Sequence, residues 1–533
     1  MLENFRLVYP LGYDINKEIK MRNYDFIKAL QIDSLVILAK ESYLGFRNIS
    51  LEEYYTTDTE VLEYRLAVMD DLVSDEKVFD CFCKAVNMIK NIQDMTKALS
   101  SDFTIESALC SVRYLEMYQE IVGHFAENLK GKEFKSEGLQ NFKKQMIEIY
   151  DSEEYKNLCE ELAKMEVRFG NIKSINIGVN LDENLRVKDA GVISVETAYY
   201  REGNIMDRLL KKDVKESHIL ISPFTAVTRA LSKEEVIALN NATTQGLQNI
   251  FAKSLKHFEP ATQQYFRENT LFFVNLLDDI RFLTAAGKFV LNMKEKGMPM
   301  CRPTIRPMSE KKCDLTSVYN PVLAKRGVEK SIVSNTFAFD ENGRFYIVTG
   351  PNHGGKSIFA YSIGMAQALF QLGIFIPAES ATMSPVSEIY THFPASDENN
   401  YGKGRLESEC ARLGSIMEVL KDTDMLLMDE SFSSTSGLEA GYIASEVLTG
   451  IGAIGCGGIY VTHIHDLPQQ VDTYNSHPMN KGKIDNLVAL MENKEDGTRS
   501  YKISRTTPDG LSYAKDIAAR YGLHLEGILE NVK

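Results

Sequence analysis

No stretch of the 533 residues stays apolar long enough to span a bilayer, so no transmembrane helix is expected. The start, Met1-Leu-Glu-Asn-Phe-Arg, lacks the basic and then apolar segments of a signal peptide. Cysteine pairing is missing too. Cys81, Cys83, Cys110, Cys159, Cys301, Cys313, Cys410 and Cys456 are scattered without a C-x-x-C pair, which argues against a disulfide framework or a zinc site. Reduced thiols in a cytoplasmic protein are the expectation. Neither an internal repeat nor a low-complexity linker is visible, which excludes solenoid and linker-rich architectures. Excess positive charge is also absent. At a net −14 the chain is not one that coats nucleic acid by its overall field, although residues 171–220 balance eight Lys/Arg against eight Asp/Glu. Any contact with DNA has to come from a local surface.

What is present is ordinary globular composition, 44% hydrophobic and 25% charged, at a length that suggests two to four domains. Residues 15–165 read as successive helices. Within them Val61, Leu62, Leu66, Met69 and Leu72 share one face. Ser136–Arg168 reads as one long charged helical stretch, either a lever arm or part of an ordinary bundle. Period-two alternation replaces the helical pattern at Ser174–Leu181 and again at Gly191–Glu196, which predicts a small β insertion. Helical spacing returns with the N-cap pattern at Ser232-Lys-Glu-Glu and runs to about Lys296. Pro303 and Pro307 then mark a boundary. The expected partition is a helical core or lever over 1–170, a clamp-like β insertion over 171–231, a returning helical lever over 232–300, and an α/β domain over 301–533.

The chemistry is concentrated in that last part. Gly350-Pro351-Asn352-His353-Gly354-Gly355-Lys356-Ser357 fits G-x-x-x-x-G-K-[ST], between the apolar run Phe345–Thr349 and a helical pattern. Such a turn aims backbone N–H groups into one concavity and so cradles phosphates, with Lys356 on the β/γ-phosphates and Ser357 on Mg²⁺. ATP and Mg²⁺ are therefore the expected ligands. Asp424-Met-Leu-Leu-Met-Asp429-Glu430 is an apolar run ending in two carboxylates. Asp429 is expected on the Mg²⁺ shell, and Glu430 as the base that activates water. His463 ends a third strand-like run, either as a γ-phosphate sensor or as an ordinary surface histidine. Tyr401-Gly-Lys-Gly404-Arg405 before a helix is a second anion-binding arrangement, or simply a solvated basic helix start. Two cradles and one triphosphate per chain suggest that the second serves a neighbouring subunit, as in a head-to-tail dimer.

Thr349–Ser357 resembles the Thr-Gly-Pro-Asn-Met-Gly-Gly-Lys-Ser of the MutS family of DNA mismatch-repair ATPases. Ile376-Pro-Ala378, Leu427–Glu430, Thr435-Ser436, Thr462-His463, Cys301-Arg-Pro-Thr, Asn320-Pro-Val-Leu323 and Asp509–Tyr513 are similar as well. The likeness is detailed over residues 300–525 and looser over 50–300. It implies a P-loop ABC-type ATPase domain behind a helical core with levers and a clamp insertion. It also implies phosphate contacts from Gly350, Asn352, Gly354, Gly355 and Lys356, Mg²⁺ ligands Ser357 and Asp429, the base Glu430 and a switch histidine at His463. Gly404, Arg405 and Glu409 align with the segment offered to the partner's nucleotide, and Thr435 and Ser436 with the loop crossing the dimer interface. The chain departs from the family at His353 (usually Met), Ile358 (Thr) and Gly404 (Ser). Ser431-Phe-Ser-Ser434 replaces a glycine-rich run. Helix-like sequence begins almost at once, so a member without the mismatch-recognition and connector domains is expected.

The function implied is an ATP-dependent DNA clamp of repair or recombination, homodimeric through its ATPase domains. It would prefer branched or distorted DNA and could work with repair-pathway proteins. Its place would be the cytoplasm, on the nucleoid if the source is bacterial. A nucleotide-gated protein-interaction module with slow turnover is one alternative, and another ABC-type chromosome-associated ATPase is a second.

Overall fold

The computed structural model describes residues 5–18, 20–38, 49–98, 105–165, 173–184, 187–196, 198, 201–202, 219–220, 270–327, 332–394, 404–493 and 498–506. The sequence readings at Ser232–Glu235, Tyr401–Lys403 and Asp509–Tyr513, and much of the β insertion and returning lever, lie outside these residues. The chain forms two compact units. One takes in residues 1–5, 80–133 and 141–278, the other 6–79, 134–140 and 279–533.

In the first unit, helices occupy most of Glu76–Ala98, Ile105–Leu129 and Glu153–Met165. Their apolar faces meet in an aromatic core. Phe125 lies edge-on to Phe142, with ring centroids 4.8 Å apart, and near Phe82 at 5.4 Å. Edge-to-face packing of this kind adds to the burial of the rings. Ser136–Arg168 is not one helix. It breaks into Glu137–Asp151 and Glu153–Met165, because the Ser152 hydroxyl accepts from the Tyr155 N–H at 3.1 Å and caps a new start. The alternating segments form the predicted hairpin, with β1 (Ser174–Leu181) antiparallel to β2 (Val187–Glu196). Two short strands, β3 (Arg201–Glu202) and β4 (Ile219–Leu220), pair in parallel.

The second unit contains the helix Thr59–Ser74, which buries Val61, Leu62, Leu66, Met69 and Leu72 as their spacing predicts. Its Arg65 is fully buried. The guanidinium donates to the Val8 carbonyl at 2.9 Å and to that of Tyr54, and lies 4.8 Å from the Tyr9 ring. A small sheet orders β5 (Thr304–Ile305), β9 (Ser380–Met383), β6 (Cys313–Val318) and β7 (Asn335–Ala338). A six-stranded sheet orders β10 (Ile389–His392), β11 (Met425–Asp429), β12 (Gly457–Val461), β8 (Phe345–Thr349), β13 (Ile484–Asn493) and β14 (Thr498–Ser504). The first five of these are parallel, and β14 returns antiparallel.

β8, β11 and β12 are buried along their whole length, as continuous apolar runs in a covered parallel sheet require. The helix Lys356–Gln371 covers part of this sheet. It is held by buried Gln371, whose amide nitrogen donates to the Val386 carbonyl at 2.9 Å while its oxygen accepts from the Val386 N–H at 3.1 Å. β8, β11 and β12 lie side by side and point the same way, so their carboxyl ends open together. In open α/β sheets that edge is where ligands bind.

Candidate functional site

Residues 350–355 turn the chain from β8 into the helix Lys356–Gln371. Gly350 sits at φ +126°, and a Cβ there would come within 2.9 Å of Ala489. A Cβ on Gly354 would meet the Pro351 carbonyl at 2.9 Å. The loop is thus closed by contacts that only glycine allows, and a phosphate can approach its backbone directly. Lys356 is buried, with its ammonium donating to the carbonyls of Gly350 and Pro351, both at 3.0 Å. Burial brings its pKa down to about 8, against the opposing pull of Glu430 and Asp429. From the other side, Arg499 on β14 donates to the Asn352 carbonyl at 3.2 Å. His353 takes a left-handed φ of +59° in the loop.

The two carboxylates predicted at the end of β11 are separated in role by their surroundings. Asp429 is buried, and its Oδ1 accepts from the Ser357 hydroxyl at 3.0 Å. Desolvation raises its pKa, opposed by hydrogen bonds from Tyr361 and Ser357. Glu430 lies just past the strand at φ +47°, with its N–H on the Val461 carbonyl at 2.9 Å. Its Oε1 accepts from Nε2 of His463 at 2.7 Å, and both side chains are about 40% exposed. The structure therefore brings together the P-loop, Ser357, Asp429, Glu430 and His463.

Ser357 Oγ and Asp429 Oδ1 form a hard oxygen pair of the kind that holds Mg²⁺ while waters and phosphate fill its other positions. Among the described residues no group of three or more His, Cys, Asp or Glu could hold a metal; the hydroxyl–carboxylate pair suits a cation that draws its remaining ligands from phosphate and water.

The other predicted residues lie on a rim. Gly404 caps the helix Arg405–Val419 without a side-chain bond, and a Cβ there would meet nothing within 4 Å. Glu409, one turn further, faces its own chain and accepts from the Phe432 N–H at 2.8 Å. Ser436 caps the helix Gly437–Ile454, accepting from the Glu439 N–H. Glu439 in turn receives the Thr435 hydroxyl at 2.5 Å and that of Ser436 at 3.1 Å, which holds its carboxyl below the usual range. Glu430–Ser433, Thr435–Leu438, Ala440 and Thr462–Asp466 line a cleft of about 610 Å³.

Sequence reasoning missed two residues here. Tyr361 donates to Asp429 Oδ2 at 2.9 Å. Its signal was its place four residues after Ser357, on the same helix face. His392 is buried between Ser431 Oγ at 2.7 Å and the Glu409 carbonyl at 3.2 Å. A carbonyl only accepts, so Nε2 carries the proton and Nδ1 accepts from Ser431. Burial, with Arg412 nearby, lowers its pKa to about 4. Nothing in the local sequence marked it.

Residues 346–523 match MutS domain V, and residues 57–296 match the MutS2 N-terminal domain. The chain belongs to the MutS family. It is 25% identical to the DNA mismatch repair protein MutS of Petrotoga mobilis, over 97% of this chain and 65% of that protein. It is 30% identical to MutS of Prochlorococcus marinus strain MIT 9301, over 37% of this chain and 21% of that one. With the yeast Saccharomyces cerevisiae DNA mismatch repair protein MSH2 it shares 24% identity over 72% of this chain and 43% of the other. This MutS-family chain thus spans between about a fifth and two thirds of the relatives it matches. Among the described residues no helix is long and apolar enough to cross a membrane, and Cys81, Cys159, Cys301, Cys313, Cys410 and Cys456 form no disulfide.

Proposed function

We propose that this MutS-family chain is a Mg²⁺-dependent ATPase of the ABC type, coupled to DNA, whose composite sites form between two protomers. The observation that carries the reading is the 3.0 Å meeting of Ser357 and Asp429, delivered from the P-loop helix and from β11. Gly350–Gly355 and Lys356 would bind the triphosphate, and Ser357 and Asp429 would hold a Mg²⁺ ion, which when bound would supply neutralisation of developing phosphate charge. Glu430 takes the proton of the attacking water, and His463 holds that carboxylate in place. Gly404, Arg405, Thr435 and Ser436 form the edge offered to the partner's nucleotide. Glu409 fixes the helix behind that edge through Phe432. Gly404 brings no hydroxyl, so backbone N–H groups at the helix start take the γ-phosphate contact.

The domain order is a helical core over 1–170, the β insertion over 171–231, a returning helix over 232–300 and the ATPase over 301–533. The helical and β parts embrace DNA by shape and backbone, with branched or distorted DNA preferred over a single mismatch.

A nucleotide-gated protein-interaction module is the second reading. It is favoured by Gly404 and by the non-glycine run Ser431–Ser434. Steady-state ATP hydrolysis by wild type and Glu430→Gln decides between them, measured without DNA, with duplex, with mismatched duplex and with a four-way junction. A junction-dependent rate that the substitution abolishes supports the clamp. A rate indifferent to every DNA moves the interaction module ahead, and junction binding weaker than mismatch binding removes the branched-DNA preference.

A further inference from the structure

The carboxylate of Asp429 has two oxygens, and the protein uses them differently. Oδ1 accepts from Ser357 Oγ at 3.0 Å, while Oδ2 accepts from the Tyr361 hydroxyl at 2.9 Å. Ser357 and Tyr361 stand one turn apart on the helix Lys356–Gln371, so a single helix face grips both oxygens. The tyrosine ring is itself held. Its centroid lies 4.5 Å from that of Phe393, whose carbonyl accepts from Arg412. A hydroxyl placed this way fixes the carboxylate's rotation and occupies the oxygen that faces away from Ser357.

We propose that Tyr361 is a positioning residue that restricts Asp429 to one-oxygen coordination and thereby makes the site prefer Mg²⁺ to Ca²⁺. Mg²⁺ demands octahedral geometry with short bonds, which a carboxylate satisfies through one oxygen. Ca²⁺ takes more ligands at longer distance and readily accepts both oxygens of one carboxylate. With Oδ2 engaged by Tyr361, the two-oxygen mode costs a hydrogen bond. Partners behind a metal ligand commonly change metal affinity by about 10–100-fold when removed. The inference rests on the nucleotide reading of this site and concerns only its cation.

The test is equilibrium binding of a fluorescent ATP analogue to the full chain, in EDTA, Mg²⁺ or Ca²⁺, for wild type, Tyr361→Phe, Asp429→Asn and the double variant. Tyr361→Phe keeps the ring against Phe393 and removes only the hydroxyl. Its affinity in EDTA should match wild type, while the gain from Mg²⁺ falls about tenfold or more and the Mg²⁺-over-Ca²⁺ ratio narrows. In the Asp429→Asn background the same change should do nothing further. If wild type itself gains nothing from Mg²⁺, the nucleotide–metal reading falls. If wild type gains and Tyr361→Phe gains equally, with the same cation ratio, Tyr361 only packs and the inference is overturned. Loss of affinity in EDTA as well would overturn it too, since the residue would then be structural.

Discussion

The P-loop edge and the rim beside it are built on opposite terms. At the P-loop, Lys356, Ser357, Asp429 and Tyr361 find partners within the chain, and Lys356 and Asp429 are buried. On the rim, Gly404 faces open space, and Leu438 and Tyr442 are 87% and 71% exposed on the helix Gly437–Ile454. The first region is finished within its own chain. The second places large apolar side chains in water next to the cleft that contains Glu430 and His463. Buried neighbours would stabilise them there, as the proposed partner protomer would provide.

The contrast can be tested from its strongest effect downward. Glu430→Gln should lower turnover by about 10²–10⁴-fold, the usual contribution of a general base, while ATP binding survives in a filter or fluorescence assay. Binding lost with turnover would show that Glu430 belongs to the cradle instead.

His392 packs behind the rim, against Ser431 and Glu409, and its effect is on stability. Its pKa falls from 6.5 to about 4 on folding, so the unfolded chain binds the extra proton in that window. Stability is therefore intact above about pH 6.5 and declines as pH drops toward 4, by at most about 3 kcal/mol. In urea titrations at a series of pH values, His392→Gln should flatten that acid slope. An unchanged slope would assign the acid sensitivity to other groups.

Lys356→Ala should weaken ATP binding by roughly 10–100-fold, the value of a charged hydrogen bond, while association is recovered once ATP is raised to saturate the weakened site. Leu438→Glu should do the converse, reducing ATP-dependent association about tenfold by loss of apolar burial while single-site binding persists. Sedimentation with and without ATP separates the two. If Leu438→Glu leaves association unchanged, the rim is not the contact.

How legible these regions were follows from how local their determinants are. The P-loop could be read directly, since strand, glycines, lysine and serine are contiguous and the backbone turn follows from their order. The face of the helix Thr59–Ser74 and the β1–β2 hairpin were legible by period alone. The break at Ser152 was missed because charge continues across it, and a single serine hydroxyl made the difference. Tyr361 was visible in principle from helical spacing. His392 and the inward turn of Glu409 were not, because each depends on a partner brought by the sheet, Ser431 for one and Phe432 for the other.

Phe432 carries a further consequence. It holds a left-handed φ of +67° where the family's usual sequence is glycine-rich, yet its ring is 1% exposed and packs in the core that contains Met428, Leu413 and Tyr460. Glycine would take that backbone without strain but would flex. Here any movement of residues 430–436 must first draw an aromatic ring out of the core, at a cost of about 2–3 kcal/mol. The segment that presents Glu430 should therefore keep time with the sheet rather than with the surface loops. Amide exchange at Ser433 and Thr435 should be slow for so exposed a stretch, and hydrolysis should be paced by motions of the whole domain.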